Sequence, residues 1–99
     1  VSAITSEQVR AARALIRWEQ KELAAASSIS LPSIKRLETS PGPLAAQTRT
    51  VDAIRAALEA AGVEFIPENG GGAGVRLRDR AGAPDEGLRP DELDATNDD

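Results

Sequence analysis

Residues 20–38 read QKELAAASSISLPSIKRLE, and the spacing of apolar residues in this stretch decides the fold. Leu23 and Ala24 mark the inward side of a short helix over about Gln20–Ser27. Ser28 and Ile29 make a turn, and Ser30 offers the hydroxyl that caps a further helix over about Leu31–Glu38. Pro32 falls in the first turn of that helix, where its missing N–H is not needed. Ile34 and Leu37 are its core-facing pair, Ile29 plugs the turn into the core, and Ala24 is small where two helices must cross closely.

Two short helices separated by about three residues match the helix-turn-helix spacing, in which the second helix enters the DNA major groove. With Ile34 and Leu37 inside, the outer face of the second helix presents Leu31, Pro32, Ser33, Lys35 and Arg36. Leu and Pro at an exposed helix start suit a groove face, where they meet thymine methyl groups. Arg36 has the reach and the planar fork to take guanine O6 and N7 together. Leu31 also has a plainer reading as tertiary packing.

Working outward, Thr5 and Gln8 form a capping box that opens a helix to about Arg17, with Val9, Ala12, Leu15 and Ile16 at helical spacing. Arg10, Arg13 and Arg17 lie on a neighbouring face of it, and Trp18 reads as core. Downstream, Thr39–Pro43 (TSPGP) is a breaker. A fourth helix follows over about Thr48–Ala61, with Val51, Ile54 and Leu58 on one face and Gly62 placed as its C-terminal cap. Val63–Ile66 and Val75–Arg78 alternate like strands around the Gly-rich turn Pro67–Gly74, which predicts a hairpin. The Gly run lacks the Lys-Ser/Thr and the following helix of a phosphate loop, so it reads as a turn.

Composition narrows the function classes. The chain has 99 residues, enough for one modest core, and only Trp18 and Phe65 are aromatic, so that core is Ala, Leu, Ile and Val. Without Cys or His there is no disulfide framework, thiol nucleophile, usual zinc site or imidazole base. No convincing nucleophile–base pair remains, and the expectation is a binding protein with no catalysis and no cofactor. No apolar run approaches a membrane span or a signal-peptide core, which makes a cytoplasmic protein the default. The chain starts with Val and contains no Met. Either it begins after an initiator, or the Val translates a GTG start, which together with the Ala, Arg and Gly content hints at a high-GC bacterium.

The net charge of −4 hides a division. Residues 1–78 carry ten Lys/Arg against eight Asp/Glu, whereas residues 79–99 carry two against eight. The body at +2 permits phosphate contact, and the acidity lies in a Pro- and Gly-containing tail with no apolar period, which reads as disordered.

The segments RALIRWEQKELA (13–24), SLPSIKRLE (30–38) and AGVEF (61–65) together resemble the phage-repressor or XRE-type helix-turn-helix family, and its compact bacterial members in particular. The likeness covers residues 5–66. It implies a lambda-repressor-like four-helix domain that binds double-stranded DNA. By that resemblance Gln20 touches backbone phosphate, Ser30 caps the recognition helix, and Leu31, Pro32 and Arg36 approach base edges. It also implies a buried pair between the first and third helices on Arg13 and Glu38. Two residues depart from the pattern. Glu19 stands where Ser or Thr usually caps the second helix, placing a carboxylate near DNA phosphate. Ser28 replaces the usual turn Gly, costing about 1 kcal/mol if that position has positive φ.

The expected organisation is a helix-turn-helix DNA-binding domain over 1–62, a hairpin over 63–78 that is a candidate dimerisation element, and a tail over 79–99. Since specific binding by one small module usually needs two half-sites, the expected protein is a homodimeric transcriptional regulator, most simply a repressor. An antitoxin whose acidic tail folds on a protein partner is one alternative, and an interaction adaptor on a degenerate helix-turn-helix scaffold is another.

Overall fold

The first helix, α1 (Ser6–Ile16), starts where the capping box predicts. Thr5 Oγ1 accepts the Gln8 N–H at 3.1 Å, and the Thr5 N–H donates to Gln8 Oε1 at 2.9 Å, so two otherwise orphaned donors are satisfied reciprocally. It ends at Arg17, which turns into the left-handed region (φ 60°) and sends its N–H back to the Ala14 carbonyl. The computed structural model describes residues 3–78. The acidic tail expected over 79–99 lies outside the described residues.

Three more helices and a hairpin follow: α2 (Gln20–Ser27), α3 (Leu31–Thr39), α4 (Thr48–Ala60), β1 (Val63–Ile66) and β2 (Gly74–Leu77). The protein is therefore mainly helical, with a small antiparallel pair of strands. α2 packs against both α3 and α4, α1 packs against α3, and the hairpin lies across α1 and α4. The core at their centre is aliphatic, as composition predicts. Val9 and Ala12 enter it from α1, Leu23 from α2, Ile34 and Leu37 from α3, Ile54, Ala57 and Leu58 from α4, with Ile4 and Val63 closing the ends. Trp18 and Phe65 pack on its margin. No helix among the described residues is long and apolar enough to cross a membrane.

The element boundaries differ from expectation in small ways with clear causes. Leu15, expected to face inward, is 40 % exposed. The buried face of α1 is centred on Val9, Ala12 and Ile16, and Leu15 precedes Ile16 by about 100° of helical rotation, which carries it off that face. β2 starts at Gly74, one residue before the alternating pattern, because Gly74 pairs with Ile66 and its carbonyl accepts Gln8 Nε2 at 2.9 Å. A residue without a side chain leaves no trace in an alternation of side chains. β2 also ends one residue early, at Leu77, though the Arg78 N–H still bonds the Gly62 carbonyl at 2.8 Å. Gly62 itself has φ +106°, the left-handed exit that lets α4 turn directly into β1.

The segment between α3 and α4 is stitched to the entry of α1. Ser6 N–H donates to the Gly42 carbonyl at 2.9 Å, Leu44 N–H donates to the Ile4 carbonyl at 3.0 Å, and the Gly42 N–H donates to Glu7 Oε1 at 3.1 Å. This anchors the breaker segment TSPGP and fixes how α3 leaves the core.

Candidate nucleic-acid interface

The connection from α2 to α3 is built from three serines and an isoleucine. Ser27 Oγ donates to the Leu23 carbonyl at 2.7 Å and accepts the Ile29 N–H at 3.3 Å, closing α2 from within. Ser28 takes φ 61°, the left-handed conformation its position raised as a possibility, and Ile29 packs against the core. Ser30 caps α3: its Oγ accepts the Ser33 N–H at 3.3 Å and donates to Ser33 Oγ at 2.9 Å. Ser30 and Ser33 therefore order the first turn of α3 as well as lying on its outer side.

α3 is held by Ile34, Leu37 and Glu38, all buried, and shows Pro32, Lys35, Arg36 and Thr39 to solvent. No acidic side chain lies on that exposed side. Two hollows flank it. On the α2 side, a hollow of about 220 Å³ is lined by Glu19, Gln20, Lys21, Leu31 and Lys35. On the α4 side, an open groove of about 730 Å³ is lined by Ser28–Ser30, Ser33 and Arg36 together with Ala45, Ala46, Gln47 and Thr50. The expected site residues thus fall into two sets, Gln20 with Leu31 and Lys35, and Ser30 with Ser33 and Arg36, with Pro32 exposed on the same helix. Leu31 is half-buried and is not among the residues packed on the core, which favours its outward reading.

Behind this face sits a buried carboxylate. Glu38, 4 % exposed at its side chain, accepts Arg13 Nε at 2.7 Å on Oε2 and Arg13 Nη2 at 2.6 Å on Oε1. This is the paired geometry in which guanidinium and carboxylate match best. Arg13 also donates to the Trp18 carbonyl at 3.0 Å. The pair that resemblance places on Arg13 and Glu38 is formed, and it ties α1 to α3. Two further bonds to Glu38 have no counterpart in the sequence reading. Gln20 Nε2 donates to Glu38 Oε1 at 3.0 Å, and Arg10 Nη1 donates to the Glu38 main-chain carbonyl at 2.6 Å. Arg10 could have been suspected, since it sits one turn before Arg13 on the same face of α1. Nothing in the sequence signals the Gln20 bond.

Glu19 is exposed, lies in the α2-side hollow, and faces Lys21 Nζ at 3.8 Å with both side chains more than two-thirds exposed. At the entry to α2 Glu22 Oε1 accepts the Glu19 N–H at 2.7 Å, one half of a capping box between the two residues. No protein-family model matches the chain, and no curated protein matches it.

Proposed function

We infer that this chain is a sequence-specific DNA-binding transcriptional regulator in which α2, the Ser28–Ser30 connection and α3 form a helix-turn-helix. The observation that carries the reading is the two-sidedness of α3. Its inner side is fixed to the core by Ile34, Leu37 and the Arg13–Glu38 pair, and its outer side is free of acids and presents Pro32, Lys35 and Arg36. A rigid helix with a basic, partly apolar outer side has the shape and chemistry to lie in a major groove. Gln20 and Lys21 flank it at the start of α2, where a DNA backbone would run. Leu31 and Pro32 suit thymine methyls, Arg36 suits guanine, and Ser30, Ser33 and Lys35 complete the contact set. One module of this size covers a single half-site, so the reading includes a homodimer, with repression by occupancy as its simplest consequence.

The test is titration of the protein with a generic 20-base-pair duplex at increasing salt, followed by selection from a random duplex pool. Binding whose logarithm falls linearly with the logarithm of salt, and a selected site with two-fold symmetry, are the expected results. Absence of duplex binding at about 50 mM salt would sink the reading, because phosphate contacts are strongest there.

A further inference from the structure

We propose that Glu38, a buried acid, is a positioning residue for the DNA backbone contact: it fixes the side-chain amide of Gln20 so that its remaining N–H is available to a phosphate. This rests on the DNA-binding reading above. A carboxylate only accepts, and an amide nitrogen carries two hydrogens. Gln20 Nε2 spends one hydrogen on Glu38 Oε1 at 3.0 Å. The opposite amide orientation would set Gln20 Oε1 against that same carboxylate oxygen, two acceptors face to face, so Glu38 selects one of the two amide flips. The second hydrogen on Nε2 is then a donor of defined direction on a half-buried residue in the hollow shared with Lys21 and Lys35.

The carboxylate can do this next to a polyanion only because its charge is matched. Arg13 meets both of its oxygens, at 2.6 and 2.7 Å. The pair is close to neutral as seen from the DNA, and Gln20 stands at its outer end. Glu38 has a second connection to the same face, since it lies in α3 itself, one turn after Ile34 and two residues after Arg36. The network therefore holds the backbone-contacting side chain of α2 and the base-facing helix α3 to one anchor, so that both meet DNA in a fixed relative placement. A flexible Gln20 would have to lose its rotamer freedom on binding, whereas a tethered one has lost it already.

Removing Glu38 alone strands Arg13, so the test uses charge-neutral pairs. R13M/E38M replaces the ion pair by apolar side chains of similar length, an exchange that buried pairs often tolerate without loss of stability, and removes the acceptor of Gln20. R13M/E38Q returns an acceptor oxygen at the same place. Each is compared with the parent and with Q20M by melting, by affinity for a generic duplex at fixed salt, and by NMR of the glutamine side-chain amides. In the parent without DNA, the Gln20 amide is expected to be as ordered as rigid backbone, with an order parameter of about 0.85, while the exposed Gln47 stays below about 0.6. R13M/E38M should mobilise the Gln20 amide and weaken duplex binding about tenfold with selected sequence unchanged, the size of one lost hydrogen bond to a charged group. Q20M should weaken it equally, the triple variant no further, and R13M/E38Q should recover most of the loss. A Gln20 amide as mobile as that of Gln47 in the parent overturns the proposal. So does parental duplex affinity in a folded R13M/E38M. If the parent binds no duplex at all, the DNA-binding reading is what fails, and the amide measurement still decides whether Glu38 holds Gln20.

Discussion

Replacing Arg13 by Ala should destabilise the protein far more than an ordinary surface arginine would. The substitution removes two short charge-assisted bonds and leaves the Glu38 carboxylate, 4 % exposed, with Gln20 as its remaining side-chain partner among the described residues. Stranding a fully buried charge costs about 3–5 kcal/mol. The Arg13 side chain retains 18 % exposure, so water reaches the space it vacates, and a discounted cost of about 2–4 kcal/mol is the expectation. For a domain of this size each kcal/mol lowers the melting temperature by about 4–8 °C, which makes the effect large and easily measured. Urea unfolding at neutral pH is the assay, with Trp18 as the only tryptophan and a built-in reporter, since Arg13 bonds its carbonyl. The slope against urea should stay constant while the midpoint falls. The R13M/E38M pair should recover most of the loss, because the penalty belongs to the unpaired charge and not to absence of the ion pair. A single Arg13→Ala variant within 1 kcal/mol of the parent would refute this reasoning, since a solvent-screened pair is worth no more than that.

Arg36→Ala should cost about 1–3 kcal/mol of specific DNA affinity and relax preference at one base pair. Unchanged affinity and preference in a selection experiment would remove Arg36 from the groove. Ser28→Gly should stabilise by about 0.5 kcal/mol, because relief of left-handed strain outweighs the added freedom of the unfolded chain. A lower urea midpoint for that variant would show that Ser28 contributes something beyond its backbone conformation. Glu7 has its carboxyl held below the ordinary value of 4.5 by its own backbone N–H, the Gly42 N–H and Arg10. Glu64 is held below it by Arg76 across the hairpin. Both groups are depressed in the folded state, so their contribution is complete above pH 4.5 and is lost as pH falls through the lower folded values. Melting temperature should therefore drop as pH falls below the ordinary carboxyl value of 4.5, less steeply in Glu7→Gln and Glu64→Gln variants. A parental curve no steeper than theirs would contradict the assignment.

The stretch from Gln20 to Glu38 was legible almost residue by residue, because its signals are local. Ser30 caps the helix it precedes, Pro32 sits in a first turn, and Leu23, Ile34 and Leu37 are buried at the spacing a helix imposes. Leu15 was misplaced because an apolar residue at the margin of a helical face satisfies the periodicity equally well whether or not a neighbour covers it. Gly74 joined a strand through its backbone and through Gln8, sixty-six residues earlier, a partner that no local pattern encodes. The candidate face divides the same way. Its outward residues on α3 follow from which residues of that helix are buried. The Gln20–Glu38 bond and the groove shared with Gln47 and Thr50 depend on how α2, α3 and α4 meet, which is a property of the packed core.

On the DNA-binding reading proposed above, the charge pattern makes the docking of α3 matter more than bulk attraction to DNA. The candidate face offers Lys21, Lys35 and Arg36, with Glu19 and Glu22 nearby. The Lys21–Glu19 pair, at 3.8 Å and well exposed, is worth at most about 1 kcal/mol and leaves Lys21 free to turn to a phosphate. Even if all three cations each neutralise one phosphate, the logarithm of affinity falls with the logarithm of salt by a slope of only about −3 per protomer. Sequence-independent affinity on that scale is modest, so on the proposed reading discrimination would have to come from the few side chains placed to reach base edges. Such contacts tolerate little displacement, since a bidentate arginine–guanine pair lost by misplacement forfeits about 1–3 kcal/mol. On the DNA-binding reading, Ile34, Leu37 and Glu38, the buried residues of this nine-residue helix, are what would limit such displacement.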